Sequence, residues 1–91
     1  MPSTSRPTLF VTGAAAGIGR AVAERFLRAG WFVGVYDVDE AGLRTLQQSF
    51  GADQCHAARL DVTSVEDWQV ALAGFEQAAG GRLDVLFNNA G

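Results

Sequence analysis

The chain has no lysine. Its seven cations are all arginine, set against ten acidic residues, for a net charge of −3. That balance is the wrong electrostatic footprint for nucleic acid or an anionic membrane surface, so neither is expected as a partner. Cysteine occurs once, at Cys55, which excludes an internal disulfide and fits a reducing, cytoplasmic setting. Histidine also occurs once, at His56, beside that cysteine. A metal site needs more ligands than these two, and none is expected. The pair reads instead as a half-buried strand thiol next to a surface imidazole. No apolar run approaches the roughly 20 residues that span a bilayer. The opening "MPSTSRPTLF" lacks a secretory pattern and reads as a frayed leader to the first strand. Repeats, low-complexity tracts and linkers are missing too.

What is present is a globular composition, 48% hydrophobic, in 91 residues, which suits one domain or a piece of one. Strand and helix signals alternate along it. Leu9–Thr12 is a short apolar run bounded by Pro7 and Gly13. From Gly17, the residues Ile18, Val22, Phe26 and Ala29 recur at helical spacing, and Gly30 stands where a left-handed cap belongs. A second strand, Trp31–Asp37, is rich in β-branched and aromatic residues. A second helix is expected from Asp39, its N-cap, to Phe50, with Leu43, Leu46 and Phe50 on one face. Gln54–Leu60 is a weaker strand, placed at a sheet edge. Ser64 and Asp67 resemble a capping box for a third helix with Val65, Trp68, Leu72, Phe75 and Ala79 on its apolar face. A fourth strand, in "LDVLFNNAG", closes the series.

The order β-α-β-α-β-α-β predicts a parallel sheet, because each crossover helix must cover a face. The expected architecture is the first half of a doubly wound, Rossmann-like α/β fold with strand order 3-2-1-4. Ligands in such sheets bind beyond the carboxyl ends of the strands. Every polar signal falls there: Thr12 to Gly19 after strand 1, Asp37 after strand 2, Asp61 after strand 3, and Asn88 to Gly91 after strand 4. Gly13 permits a tight turn, and Gly17 and Gly19 clear space for a pyrophosphate and for helix packing. The first helix would aim its free N–H groups at the phosphates. Asp37 lies 18 residues past Gly19, near the spacing of about 20 for a carboxylate that holds ribose hydroxyls. It would repel a 2′-phosphate, and no Arg or Lys stands in the turn or beside Asp37 to attract one. NAD is therefore favoured over NADP. Singly, each signal has a plainer reading: tight packing for the glycines, helix caps for Asp37 and Asp39, a turn cap for Asp61.

The glycine spacing is Gly-x-x-x-Gly-x-Gly after a threonine. "TGAAAGIG" (Thr12 to Gly19), "DVT" (Asp61 to Thr63) and "NNAG" (Asn88 to Gly91) together resemble the short-chain dehydrogenase/reductase family, over nearly the whole chain from about Thr8. The resemblance implies that residues 1–91 are the amino-terminal portion of an NAD(P)-binding domain. Thr12, Gly13, Ala15, Gly17, Ile18 and Gly19 would form the coenzyme phosphate turn, and Asp37 the NAD-selecting acid. Asp61 would accept from the adenine amino group, and Val62 would line the adenine pocket. Asn88, Asn89, Ala90 and Gly91 would stabilise the central strands and lie beneath the nicotinamide ribose. It further implies a hydride transfer with a small-molecule alcohol or ketone, and a homo-oligomer when complete. The family's catalytic Ser and Tyr-x-x-x-Lys motif follow the Asn-Asn-Ala-Gly turn. Here the one tyrosine, Tyr36, lies on strand 2 and lysine is absent, so no catalytic residue is assigned and these 91 residues alone are expected to be inactive. The other reading is a stand-alone, non-catalytic dinucleotide-binding module, or a half-domain that needs a partner chain.

Overall fold

A computed structural model describes residues 6–89; the expected leader at residues 1–5 and the expected site residues Ala90 and Gly91 lie outside the described residues. Seven elements follow in alternation: β1 (Thr8–Thr12), α1 (Gly17–Arg28), β2 (Phe32–Asp37), α2 (Glu40–Phe50), β3 (Cys55–Arg59), α3 (Val65–Ala79) and β4 (Val85–Asn88). The strands form one parallel sheet in the order β3-β2-β1-β4. The topology is the expected one, with β3 at an edge.

Two apolar layers sandwich the sheet because strand side chains alternate between faces. Leu9 and Val11 of β1, Val33 and Val35 of β2 and Cys55 of β3 pack with Ala23 and Leu27 of α1 and Leu43 and Leu46 of α2. Phe10, Phe32 and Tyr36 face the other way, against Leu60 and against Ala71, Phe75 and Ala79 of α3. Near-continuous burial of β1 and β2 is what a strand covered on both faces requires.

Three local expectations are corrected. The buried stripe of α1 is Gly19, Ala23 and Leu27, one residue along from the expected one. Val22 and Phe26 pack at its margin, and Ile18 is 69% exposed. Glycine holds the first position of that face because α1 there lies so close to the preceding turn that a Cβ on Gly19 would stand 2.1 Å from the Gly13 carbonyl oxygen. In α3 the buried residues are Ala71, Phe75 and Ala79, while Val65 and Leu72 are exposed. Cys55 is fully buried, not half-buried, because it points into the α1/α2 layer; burial pushes its thiol up to about 11.

Candidate functional site at the carboxyl rim of the sheet

The end of β1 and the turn that follows are bound to both neighbouring strands. The Ala14 N–H donates to the Tyr36 carbonyl (3.1 Å), and the Ala15 N–H donates to Asp37 Oδ2 (3.1 Å). On the other side, Thr12 Oγ1 donates to Asn88 Oδ1 (2.8 Å) and accepts from the Asn89 N–H (3.0 Å). Asn89 Nδ2 also reaches the Gly13 carbonyl (3.4 Å). The segment after β3 joins through the Leu60 N–H on the Asp37 carbonyl (3.1 Å). Four loops therefore meet at one rim. Asn89, within the Asn88 to Gly91 segment marked in the sequence, contributes both its backbone amide and its side chain to this rim.

The glycines have separate reasons. Gly13 and Gly17 adopt φ of 65° and 63°, left-handed values that disfavour a side chain. Gly17 has open space around it, whereas Gly19 is a matter of room, its missing Cβ also lying 2.8 Å from Asn89 Nδ2. The N-cap of α1 is Ala16, which is extended and offers no capping side chain, and the first turn of the helix holds no acidic residue. By contrast α2 is capped by Asp39, which accepts from the Gly42 N–H, and α3 by Ser64, which accepts from the Asp67 N–H. Among the described residues no side chain caps the first-turn amides of α1 at the rim, an arrangement suited to an anion. Ile18 projects beside them, exposed.

The Asp37 carboxylate turns toward the glycine-rich turn. Besides the Ala15 amide it accepts the Asp39 N–H at Oδ1 (3.1 Å). Each oxygen keeps acceptor capacity for a further donor such as a sugar hydroxyl. The expectation of no cation beside Asp37 is corrected for Arg59, its in-register neighbour on β3; Arg20, in α1, places Nη1 on the Ala15 (3.4 Å) and Gly42 (3.1 Å) carbonyls. Both charges are matched locally, Arg59 by Asp67 (3.0 Å) and Arg20 by Glu24 (3.2 Å).

Asp61 lies at the same rim. Its Oδ1 accepts from the Thr63 hydroxyl (2.7 Å) and amide (3.0 Å), and these bonds, helped by Arg59, hold its carboxyl below the usual carboxylate range. The anticipated capping box forms only in half: Ser64 caps α3, but Asp67 Oδ2 accepts the Asp61 N–H (2.9 Å) and Arg59. Asp67 thus fixes the approach to Asp61. Val62 is partly buried against the α3 layer, and its carbonyl accepts from Trp68 Nε1 (3.0 Å). The only tyrosine, Tyr36, is wholly buried and stacked on Phe10 at 4.1 Å, which removes it from the rim's chemistry. Among the described residues no cluster of three His, Cys, Asp or Glu side chains could hold a metal.

A family model described as "short chain dehydrogenase" matches residues 7–91. A curated relative, cis-1,2-dihydrobenzene-1,2-diol dehydrogenase of Pseudomonas putida, is 40% identical over 81 residues, covering 89% of this chain and 29% of its own length. Among solved structures, a variant of actinorhodin polyketide ketoreductase with NADPH superposes with a TM-score of 0.87 at 33% identity, over 97% of this chain and 34% of that one. A 3-ketoacyl-(acyl-carrier-protein) reductase from Brucella melitensis, complexed with NADH, gives 0.82 at 29% identity, over 88% of this chain and 32% of that one. The chain spans between 13% and 35% of the length of the first curated relatives it matches.

Proposed function

This chain belongs to the short-chain dehydrogenase family, and on that premise we propose that its rim is the coenzyme-binding part of an NAD-dependent oxidoreductase acting on an alcohol or ketone. The observation that carries the choice of coenzyme is the Asp37 carboxylate, held at the turn by the Ala15 amide with acceptor capacity to spare. A ribose 2′-hydroxyl could donate to it; a 2′-phosphate would meet its charge at close range. The residues fit the dinucleotide on structural grounds. α1 starts without a side-chain cap, and the backbone at Gly17 has open space where a phosphate could approach. When bound, NAD would accept or deliver the hydride. Thr12, Gly13, Ala15, Gly17, Ile18 and Gly19 would border its phosphates, Asp37 its adenosine ribose, Asp61 and Val62 its adenine, and Asn88 the nicotinamide side. A homo-oligomer belongs to the same proposal.

The second reading, a dinucleotide-binding module without turnover, is favoured by one observation. The single tyrosine is sealed in the core and no lysine exists to support it, so these 91 residues offer no Tyr–Lys acid/base pair. Fluorescence titration with NADH and NADPH tests both readings. The expected result is weak binding with NADH preferred, and no oxidation of alcohols. Asp37→Ala is expected to erase the preference. An Asp37→Ala protein with the original preference would show that the ribose acid lies elsewhere, and turnover by the 91 residues would show that an acid/base group has been missed.

A further inference from the structure

We propose that Arg20 and Gly42 act together as a positioning clamp that aims Asp37 at the coenzyme ribose, and so sets coenzyme preference without touching the coenzyme. The inference rests on the reading of the rim as a dinucleotide site.

Ala15 is the pivot. Its N–H holds Asp37 Oδ2 (3.1 Å), its carbonyl accepts from Arg20 Nη1 (3.4 Å), and its methyl lies under α2 at Gly42. A Cβ on Gly42 would stand 2.8 Å from the Ala15 Cβ and 3.0 Å from the Ala15 oxygen. Gly42 lies in the first turn of α2, where alanine is the better helix former. Its glycine is explained by this approach rather than by helix propensity. Arg20 Nη1 closes the contact from the other side, donating to the Gly42 carbonyl (3.1 Å) and to Thr45 Oγ1 (3.1 Å), while Glu24 holds its Nε (3.2 Å). One guanidinium thus spans α1, the turn and α2, with Nη1 shared among the Ala15, Gly42 and Thr45 oxygens and Nε held by Glu24. Ala15 is fixed by three elements at once, and through it so is the carboxylate.

A clamp and a direct phosphate counter-ion predict opposite signs. If Arg20 attracted a 2′-phosphate, its removal would weaken NADPH more than NADH. If Arg20 positions Asp37, its removal frees the carboxylate to turn aside, NADH loses a hydrogen bond, and NADPH loses a repulsion.

The test measures dissociation constants of NADH and NADPH for the full chain, its Arg20→Met, Gly42→Ala and double variants, and an Arg44→Met control that removes a charge from α2 outside the clamp. Arg20→Met is expected to lower the NADH-over-NADPH preference about tenfold, the scale of one lost charged hydrogen bond. Gly42→Ala is expected to shift it the same way, and the double variant to fall short of the product of the two, because both act through Ala15. Arg44→Met leaves the preference unchanged. Amide exchange at Ala15 is expected to quicken in both single variants. Should Arg20→Met fail to fold, Thr45→Val removes one acceptor of the clamp and is expected to move preference and Ala15 exchange in the same direction. An unchanged or raised preference in variants that still bind coenzyme overturns the clamp alone. Absence of binding of either coenzyme to the unaltered chain overturns the reading of the rim, and the clamp with it.

Discussion

Gly17 and Gly19, two residues apart, answer to different forces, and substitution separates them. Gly17→Ala meets no atom but must hold φ at 63°, a strain of about 1–2 kcal/mol. Gly19→Ala must push aside the backbone oxygen of Gly13, 2.1 Å from the new methyl, and the Asn89 amide. It is expected to be the more damaging in urea denaturation, at about 3 kcal/mol or more. Equal losses would mean that α1 can shift on the sheet. The glycine pattern was legible in the sequence, but which glycine answers to sterics was not, because that depends on how closely α1 packs. Burial of single groups was equally hidden. Cys55 is sealed in the α1/α2 layer and its thiol is raised from 9.0 to about 11; burial also raises the Tyr36 hydroxyl. Between those two values the folded chain keeps a thiol proton that the unfolded chain releases, so this contribution to stability is complete below about pH 9 and falls as pH rises toward 11. Thermal melts are expected to show a declining Tm across that window, and Cys55→Ala is expected to shallow the decline.

At the scale of elements, segment types and order could be read because propensity, periodicity and turn residues agree. Asp39 and Ser64 were legible as caps because each starts an apolar-periodic run. The second half of the capping box was not legible, since Asp67 is drawn away by Arg59 and the Asp61 amide, partners supplied by β3 and the loop after it. Ser64→Ala is expected to cost about 1 kcal/mol by chemical denaturation. A larger loss would indicate that the Asp61 approach unravels with the cap. The starts of β1 and β4 are laced by a knot that no motif announces. Asp84 Oδ2 accepts the Thr8 N–H (2.8 Å), the Thr8 hydroxyl donates to the Arg82 carbonyl (2.8 Å), and the Asp84 N–H donates to that hydroxyl (3.0 Å). The Thr8 amide, then Arg82, hold the Asp84 carboxyl below its ordinary range. A depressed acid stabilises the fold above the unfolded carboxylate value, near 3.9, and that contribution disappears as pH falls through the folded value. Asp84→Asn is expected to lower Tm at neutral pH and to flatten its fall under acid. A variant whose acid profile matches the parent would place the acid-sensitive contact elsewhere.

Across the whole molecule, the two outer strands are managed differently. The edge at β3 is guarded: Gln47 Nε2 donates to the Cys55 carbonyl (3.1 Å), and Arg59 is paired with Asp67 at the strand's end. β4 carries Val85 at 40% and Leu86 at 49% exposure on the opposite edge, with Leu83 just before it and Leu72 and Val70 exposed on α3. Parallel strands are normally covered on both faces, so this apolar edge is an invitation to pairing. The stretch "LDVLFNNAG" marks the strand in the sequence, while the degree to which Val85 and Leu86 stay open depends on which faces α1 and α3 cover. The 91 residues on their own are expected to self-associate, with sedimentation coefficients that climb with concentration. Leu86→Lys places a charge in the middle of the strand and is expected to suppress that climb. Its effect on the rim should be slight, since the bonds that build the site run from β4 through Asn88 and Asn89 to Thr12. If Leu86→Lys abolished association and coenzyme binding together, the rim would depend on what covers β4, and the site would be a property of the assembled sheet rather than of these four loops.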